Sequence, residues 1–317
     1  MIRIATIGTS AITYSFVDAL AEVSTIELAG VYSRSRETAR KAAAAFGAEQ
    51  TWTDLDAMLA STDVDAVYVA SPNGVHHEQA LRAIRAGKHV LVEKPAVPTA
   101  DQFSVLLDEA KDAGVVIFEG MRNAYDPGTA ALRALLPKLG QIRRVSLAYS
   151  QRSARYDLVL TGRSVNIFDP KLAGGALYDI GVYCVSMLVD LFGVPQAVTA
   201  SNVTVGSGVD GAGAVLASYP GMVADLSYSK ITASDRPSEI QGELATVTFD
   251  RVAAPRELVV TYLDGKRDTE RLDLSPANMR FEIERFGQLI EGDDPAADQL
   301  RTLHTLETID AIRASSI

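Results

Sequence analysis

The run Asp65-Ala66-Val67-Tyr68-Val69-Ala70 is strand-like and apolar at successive positions, so both of its faces must be covered. Strands of that kind belong to parallel sheets sandwiched between helices. Its neighbours repeat the theme. Ile2 to Ile7, Ile26 to Tyr32, a short piece at Thr51-Trp52, His89 to Val92 and Val115 to Phe118 read as strands. Helically spaced segments lie between them, at Ile12 to Val23, after Ser35, from Asp54 to Ala60, from Val75 to Ala86 and from Thr99 to Ala113. Ser35 and the Thr99/Gln102 pair supply N-terminal caps, while Gly47 and Gly87 supply stops. Regular alternation of strand and helix predicts an α/β fold with a doubly wound parallel sheet.

A chain of 317 residues exceeds what one hydrophobic core usually supports, so a second domain is expected. The rhythm changes after Gly120. One long helix is predicted from Asp179 to Phe192, stopped by Gly193 with Pro195 beyond. Short strand-like runs follow at Ala197 to Val205, Ala214 to Ser218, Met222 to Ser227, Ala245 to Phe249 and Leu258 to Tyr262, and helices from Phe281 to Ile290 and Ala297 to Ala314 close the chain. The expected division is a parallel-sheet domain over 1–120 and an α+β domain on a mostly antiparallel sheet over 121–317. The net charge of −10 argues against nucleic acid and anionic membrane as partners. No apolar run is expected to reach the length of a spanning helix, and the N-terminus lacks a signal-peptide pattern. A single cysteine, Cys184, excludes an intrachain disulfide, argues against a structural metal site and fits a reducing cytoplasm.

Two segments point to a dinucleotide. Gly8-Thr9-Ser10-Ala11-Ile12-Thr13 follows a strand and opens a helix, the place where a glycine turn lets a pyrophosphate meet the helix N-terminus. The pattern is degraded, with Ser10 and Thr13 standing where the fingerprint has glycines. At the end of the second strand, where NAD enzymes place an acid, this chain has Ser33-Arg34-Ser35-Arg36. A hydroxyl and a guanidinium suit a ribose 2′-phosphate, so NADP is expected over NAD, without excluding NAD.

With these, Ser71-Pro72-Asn73-Gly74-Val75-His76, Glu93-Lys94-Pro95 and Gly174-Gly175-Ala176-Leu177-Tyr178-Asp179-Ile180-Gly181-Val182-Tyr183 resemble the glucose–fructose oxidoreductase/inositol dehydrogenase/rhizopine catabolism (Gfo/Idh/MocA) family, in order and spacing over nearly the whole chain. The resemblance implies an N-terminal Rossmann domain and a C-terminal substrate-binding and assembly domain. It implies Ser71, Pro72, Asn73 and His76 beside the nicotinamide end of the cofactor and Glu93 at its ribose. Lys94 would lie between that ribose and the substrate hydroxyl or carbonyl, with Asp179 and Tyr183 facing the substrate from the second domain. Position 183 is histidine in inositol dehydrogenases. Tyrosine there is similar to the dimeric dihydrodiol dehydrogenase, xylose dehydrogenase and glucose–fructose oxidoreductase branch, which implies an aldose or diol rather than an inositol.

The expected activity is an NADP-dependent dehydrogenase transferring hydride to or from a hydroxyl/carbonyl carbon of a sugar, polyol or related diol. Tyr183 is assigned proton transfer, Lys94 the stabilisation of its phenolate, and Asp179 the orientation of substrate or of Lys94. Arg122, Asn123 and Arg155 are candidates for the sugar pocket. The competing reading is a cofactor-binding regulator that keeps the fold without chemistry; a regulator has no need of Lys94, Asp179 and Tyr183 together. A homodimer or homotetramer is the expected assembly.

Overall fold

The computed structural model describes residues 1–274 and 278–316. The chain divides into two compact units: Met1–Met121 with Pro276–Leu303, and Arg122–Ser275 with His304–Ile317. The expected boundary at 120 falls one residue from the first break. The return of the later segment to the first unit is a feature that strand and helix periodicity does not carry.

In the first unit, β1 (Ile2–Ile7), β2 (Ile26–Tyr32), β3 (Gln50–Trp52), β4 (Ala66–Val69), β5 (His89–Glu93) and β6 (Ile117–Gly120) form one sheet in the order β3-β2-β1-β4-β5-β6. Each adjacent pair is parallel. Helices α1 (Ala11–Leu20), α2 (Arg36–Phe46), α3 (Leu55–Leu59), α4 (His76–Arg85) and α5 (Ala100–Ala113) connect the strands. All of β4 is buried, as its unbroken apolar sequence requires. The predicted caps form: Ser35 and Thr99 accept from the amides of Thr38 and Gln102, while Gly47 closes α2 with φ 70°. The order reverses direction between β1 and β4, and ligands of such sheets bind beyond the carboxyl ends of the strands at that point.

The second unit opens with α6 (Arg122–Tyr125) and α7 (Pro127–Leu135). Its sheet comprises β7 (Ile142–Ser150), β8 (Ala197–Thr204), β9 (Asp210–Tyr219), β10 (Met222–Ser229), β11 (Ser238–Gly242), β12 (Ala245–Phe249), β13 (Glu257–Tyr262) and β14 (Arg267–Arg271), in the order β14-β13-β12-β11-β7-β10-β9-β8. The β10–β7 pair is parallel and the other pairs are antiparallel. Five of these strands match the predicted runs. The mixed polar sequences of β7, β11 and β14 gave no such signal. Short α8 (Tyr156–Leu160) follows β7, and α9 (Val182–Phe192) lies buried against the sheet. Helix α10 (Arg280–Glu291) belongs to the first unit, and α11 (Ala296–Ser315) is divided between the two.

Pro170–Phe192 is, by length and composition, long and apolar enough to cross a membrane, but 78% of its most apolar window is buried. Its hydrophobicity serves the core of the second unit.

Candidate active site

In the first unit, the predicted cofactor residues follow the carboxyl ends of adjacent strands. Gly8 succeeds β1 with φ 117°, and a Cβ there would stand 2.5 Å from the carbonyl oxygen of Ala70, so glycine alone fits. Thr9 leads to Ser10, the N-cap of α1, whose hydroxyl makes no capping bond. The carbonyl of Ser10 takes the amides of Thr13 and Tyr14. The amides of Ala11 and Ile12 therefore head a helix turn with no intrahelical acceptor, an arrangement that suits a phosphate. After β2, the Ser33 hydroxyl accepts from the amide of Ser35 at 3.5 Å. Arg34 beside it is exposed and makes no hydrogen bond or ion pair among the described residues. A free guanidinium at this edge fits a 2′-phosphate, and no acid stands there to repel one.

Ser71 follows β4 and donates its hydroxyl to Oε1 of Gln79 at 2.6 Å. Pro72 and Asn73 turn the chain through a short 3₁₀ segment, Asn73–Val75, into α4. His76 opens that helix and is buried. Its Nε2 lies 2.7 Å from the carbonyl oxygen of Ser71 and its Nδ1 lies 3.0 Å from that of Pro95. Burial is the largest influence on the ring and lowers its pKa, while the carbonyls of Ser71 and Pro95 oppose the shift. With both nitrogens against backbone carbonyls, His76 meets the Lys94-Pro95 turn directly.

Glu93 ends β5, buried, and its Oε1 accepts the hydroxyl of Tyr68 at 2.5 Å. Lys94 follows, half-buried, at a cis peptide bond to Pro95. Ala96 then donates its amide to Oε1 of Glu119 at 2.8 Å. Glu119 was not among the sequence candidates. Its signal was available: one acid within the apolar strand Val116-Ile117-Phe118-Glu119. Burial pushes its carboxyl up to about 7, against the stabilising amide of Ala96 and hydroxyl of Thr302.

In the second unit, Asp210 opens β9 and anchors the Gly174-Gly175 motif. Its Oδ2 accepts the amide of Leu177 at 2.7 Å. Gly175 has φ 129°, and a Cβ on it would approach Oδ1 of Asp210 to 2.1 Å, which explains the glycine. Burial raises the Asp210 carboxyl, and the Leu177 amide is the first of the backbone donors that oppose it. The expected α-helical start is instead a π-helical turn, Leu177–Gly181, running into α9. Tyr228 explains why residue 181 must be glycine: a Cβ there would come within 2.9 Å of its ring. Asp179 thus sits in a π turn rather than in the first turn of the expected α-helix.

Asp179 has a partner that sequence reasoning missed. Lys230, just beyond β10, places Nζ 2.6 Å from Oδ2 of Asp179, and its side chain is 12% exposed. Nothing in spacing linked the two, because strand pairing of β10 brings them together. Tyr183 is buried in α9. Its ring centroid lies 5.8 Å from that of Tyr149, and the Arg122 guanidinium stands 5.3 Å from it. Asn123 donates Nδ2 to the carbonyl oxygen of Tyr183 at 3.1 Å, fastening α9 rather than lining a pocket with that group. Arg155 precedes α8 and is exposed. Cys184 is buried, which pushes its thiol up to about 12. Among the described residues no cluster of three or more metal-ligating side chains occurs.

The family model described as "Oxidoreductase family, NAD-binding Rossmann fold" (GFO_IDH_MocA) matches residues 2–121, and that of the GFO/IDH/MocA C-terminal domain matches residues 129–248. The chain belongs to the Gfo/Idh/MocA oxidoreductase family. Among curated relatives of this family member, the scyllo-inositol 2-dehydrogenase (NADP(+)) of Bacillus subtilis is 42% identical over 292 residues, covering 92% of this chain and 89% of the relative. The D-xylose 1-dehydrogenase (NADP(+)) 2 of Haloferax volcanii is 30% identical, covering 98% and 96%. The 3-ketoreductase of Actinomadura kijaniata, solved with NADP and TDP-benzene, superposes with a TM-score of 0.90 at 25% identity, covering 99% of this chain and 98% of that one.

Proposed function

We propose that this chain is an NADP-dependent dehydrogenase that moves hydride to or from a hydroxyl-bearing carbon of a cyclic polyol or sugar. Membership of the family makes it an NAD(P)-dependent oxidoreductase acting on CH–OH groups. The observation that carries the cofactor choice is the Ser33-Arg34 edge after β2, basic where an NAD site holds an acid. The names of the Bacillus and Haloferax relatives and the NADP in the Actinomadura structure support the same choice.

NADP, when bound, supplies or accepts the hydride at its nicotinamide. The first-turn amides of Ala11 and Ile12 would hold the pyrophosphate, with Gly8 permitting close approach and Ser33 and Arg34 holding the 2′-phosphate. Ser71, Pro72 and Asn73 would shape the nicotinamide end, and Glu93 would accept from its ribose. For the alcohol, Tyr183 Oη is the proton acceptor in oxidation and the donor in reduction. Lys94 would hold the substrate oxygen by its positive charge. Asp179, held by Lys230, would fix a substrate hydroxyl and so orient the carbon that reacts.

Tyr183 at the motif position points away from inositol. The 42% identity to a scyllo-inositol dehydrogenase weighs against that inference, because it extends over both domains. We therefore place scyllo-inositol first among substrates, ahead of xylose and of aromatic dihydrodiols. The test is a panel of inositols, aldoses and dihydrodiols with NADP+ and with NAD+, read by absorbance of the reduced cofactor. Turnover with one class and preference for NADP+ supports the reading. Tight NADPH binding with no turnover on any member supports the regulator instead.

A further inference from the structure

The turn Lys94-Pro95-Ala96 leaves β5 with few ways to be held. Proline has no amide to donate, so the polar groups that can fix Pro95 and Ala96 include the carbonyl of one and the amide of the other. Both are taken by titratable side chains. Nδ1 of His76 lies 3.0 Å from the Pro95 carbonyl oxygen, and Oε1 of Glu119 accepts the Ala96 amide at 2.8 Å. The two side chains come from different elements, α4 and β6, and each has a second contact: the neutral imidazole carries one N–H and donates it to one of its two carbonyls, while the Glu119 carboxyl accepts at both oxygens. His76 Nε2 lies 2.7 Å from the carbonyl oxygen of Ser71, and Glu119 Oε2 accepts the hydroxyl of Thr302 at 3.1 Å. Parallel pairing sets Glu119 opposite Val92 and Gly120 opposite Glu93, so the carboxyl is aligned with the strand that delivers Lys94.

We propose that His76 and Glu119 form a buried two-point clamp on the Lys94-Pro95-Ala96 turn, acting as positioning residues that set where the Lys94 ammonium stands. The clamp rests on the assignment of Lys94 to the chemistry in the proposed function. Burying a carboxyl and an imidazole is unfavourable unless they are hydrogen-bonded, and an apolar pair would fill the space without that penalty. The arrangement holds backbone atoms at fixed distances, which packing alone does less sharply. It also assigns His76 to the wall behind the cofactor residues, reaching the chemistry through Pro95.

The experiment compares Glu119→Ala, Glu119→Asp, Glu119→Gln and His76→Leu with Lys94→Ala, measuring kcat, KM and the Kd of NADPH for each folded protein. Glutamine keeps an acceptor oxygen at the same reach for Ala96; aspartate keeps the charge but is a methylene short. Glu119→Ala, Glu119→Asp and His76→Leu should each lower kcat by roughly tenfold or more, the scale of losing one buried hydrogen bond at a site sensitive to placement. NADPH Kd and KM should stay within about twofold, and Glu119→Gln should retain kcat within about threefold. If Glu119→Ala does not fold, the aspartate–glutamine contrast carries the test. Wild-type kcat in Glu119→Asp and His76→Leu, or losses confined to NADPH affinity, overturns the clamp. Full activity in Lys94→Ala instead removes the assignment of Lys94, whatever the clamp variants do.

Discussion

Asp179 and Lys230 form an ion pair of 2.6 Å, joining the acid of the family motif to a lysine 51 positions later in the sequence. The pair is largely shielded, with side chains 29% and 12% exposed, so solvent screens it less than a surface bridge. Lys230→Met removes the cation and keeps the bulk. A charge-assisted hydrogen bond contributes about 1.5–3 kcal/mol, so kcat/KM should fall roughly 10- to 100-fold while NADPH binding holds. Steady-state kinetics beside a fluorescence titration of NADPH checks this, and Lys230→Arg should recover part of the loss.

Asp210 and Gly175 make a second testable contact. Asp210→Ala deletes the acceptor of the Leu177 amide and should cost about 1–2 kcal/mol of stability, as loss of a helix cap does. Gly175→Ala should cost more, above about 2 kcal/mol, because the added methyl meets the Asp210 carboxylate at a backbone angle suited to glycine. Urea denaturation of both variants gives the order. Equal stability of Gly175→Ala and the parent would mean that the motif glycine has another purpose.

Glu119 should leave a signature in stability against pH. Its carboxyl is raised from 4.5 to about 7 by burial, so the native state binds more protons than the unfolded chain between those values. Its contribution is therefore fully present below about pH 4.5 and is lost as pH rises through 7, a change of about 3 kcal/mol. His76 acts in the opposite sense, because its pKa is lowered and its contribution is lost on acidification. The difference between wild type and Glu119→Gln isolates the carboxyl. Denaturant unfolding from pH 5 to 8 should show the variant gaining on wild type as pH rises, with no such gain if the carboxyl is ionised throughout.

Arg34 governs the cofactor prediction. Arg34→Asp replaces an exposed guanidinium with a charge that repels a 2′-phosphate and accepts from a 2′-hydroxyl. NADP+ affinity should fall roughly 10- to 100-fold and the preference should move toward NAD+. Titration of both cofactors against the variant reads this directly. An unchanged ratio of the two affinities would move phosphate recognition elsewhere.

Local pattern carried much of the fold. The apolar run of β4, the capped helices and the glycine stops mark an alternating chain by periodicity alone, and the strand-end motifs followed from position. Three kinds of feature stayed hidden. Strands β7 and β11 mix polar residues with apolar ones and β14 is polar throughout, so none has a continuous apolar signature. The π turn at Leu177–Gly181 depends on Asp210 and Tyr228, which come from strands distant in sequence. Lys230 and Glu119 act through tertiary pairing, so their residue types were visible while their partners were not.

In the proposed reaction Lys94 and Tyr183 serve one hydride transfer to NADP. Its most direct measurement is single-turnover reduction of NADP+ by the preferred substrate, unlabelled and deuterated at the reacting carbon. Wild type, Lys94→Ala, Tyr183→Phe and the double variant are compared. Deuterium should appear on the nicotinamide ring, with a primary isotope effect in wild type, a transfer rate lowered at least ~100-fold in each single variant, and a double variant little worse than either. Transfer at the wild-type rate in Lys94→Ala or Tyr183→Phe would contradict it.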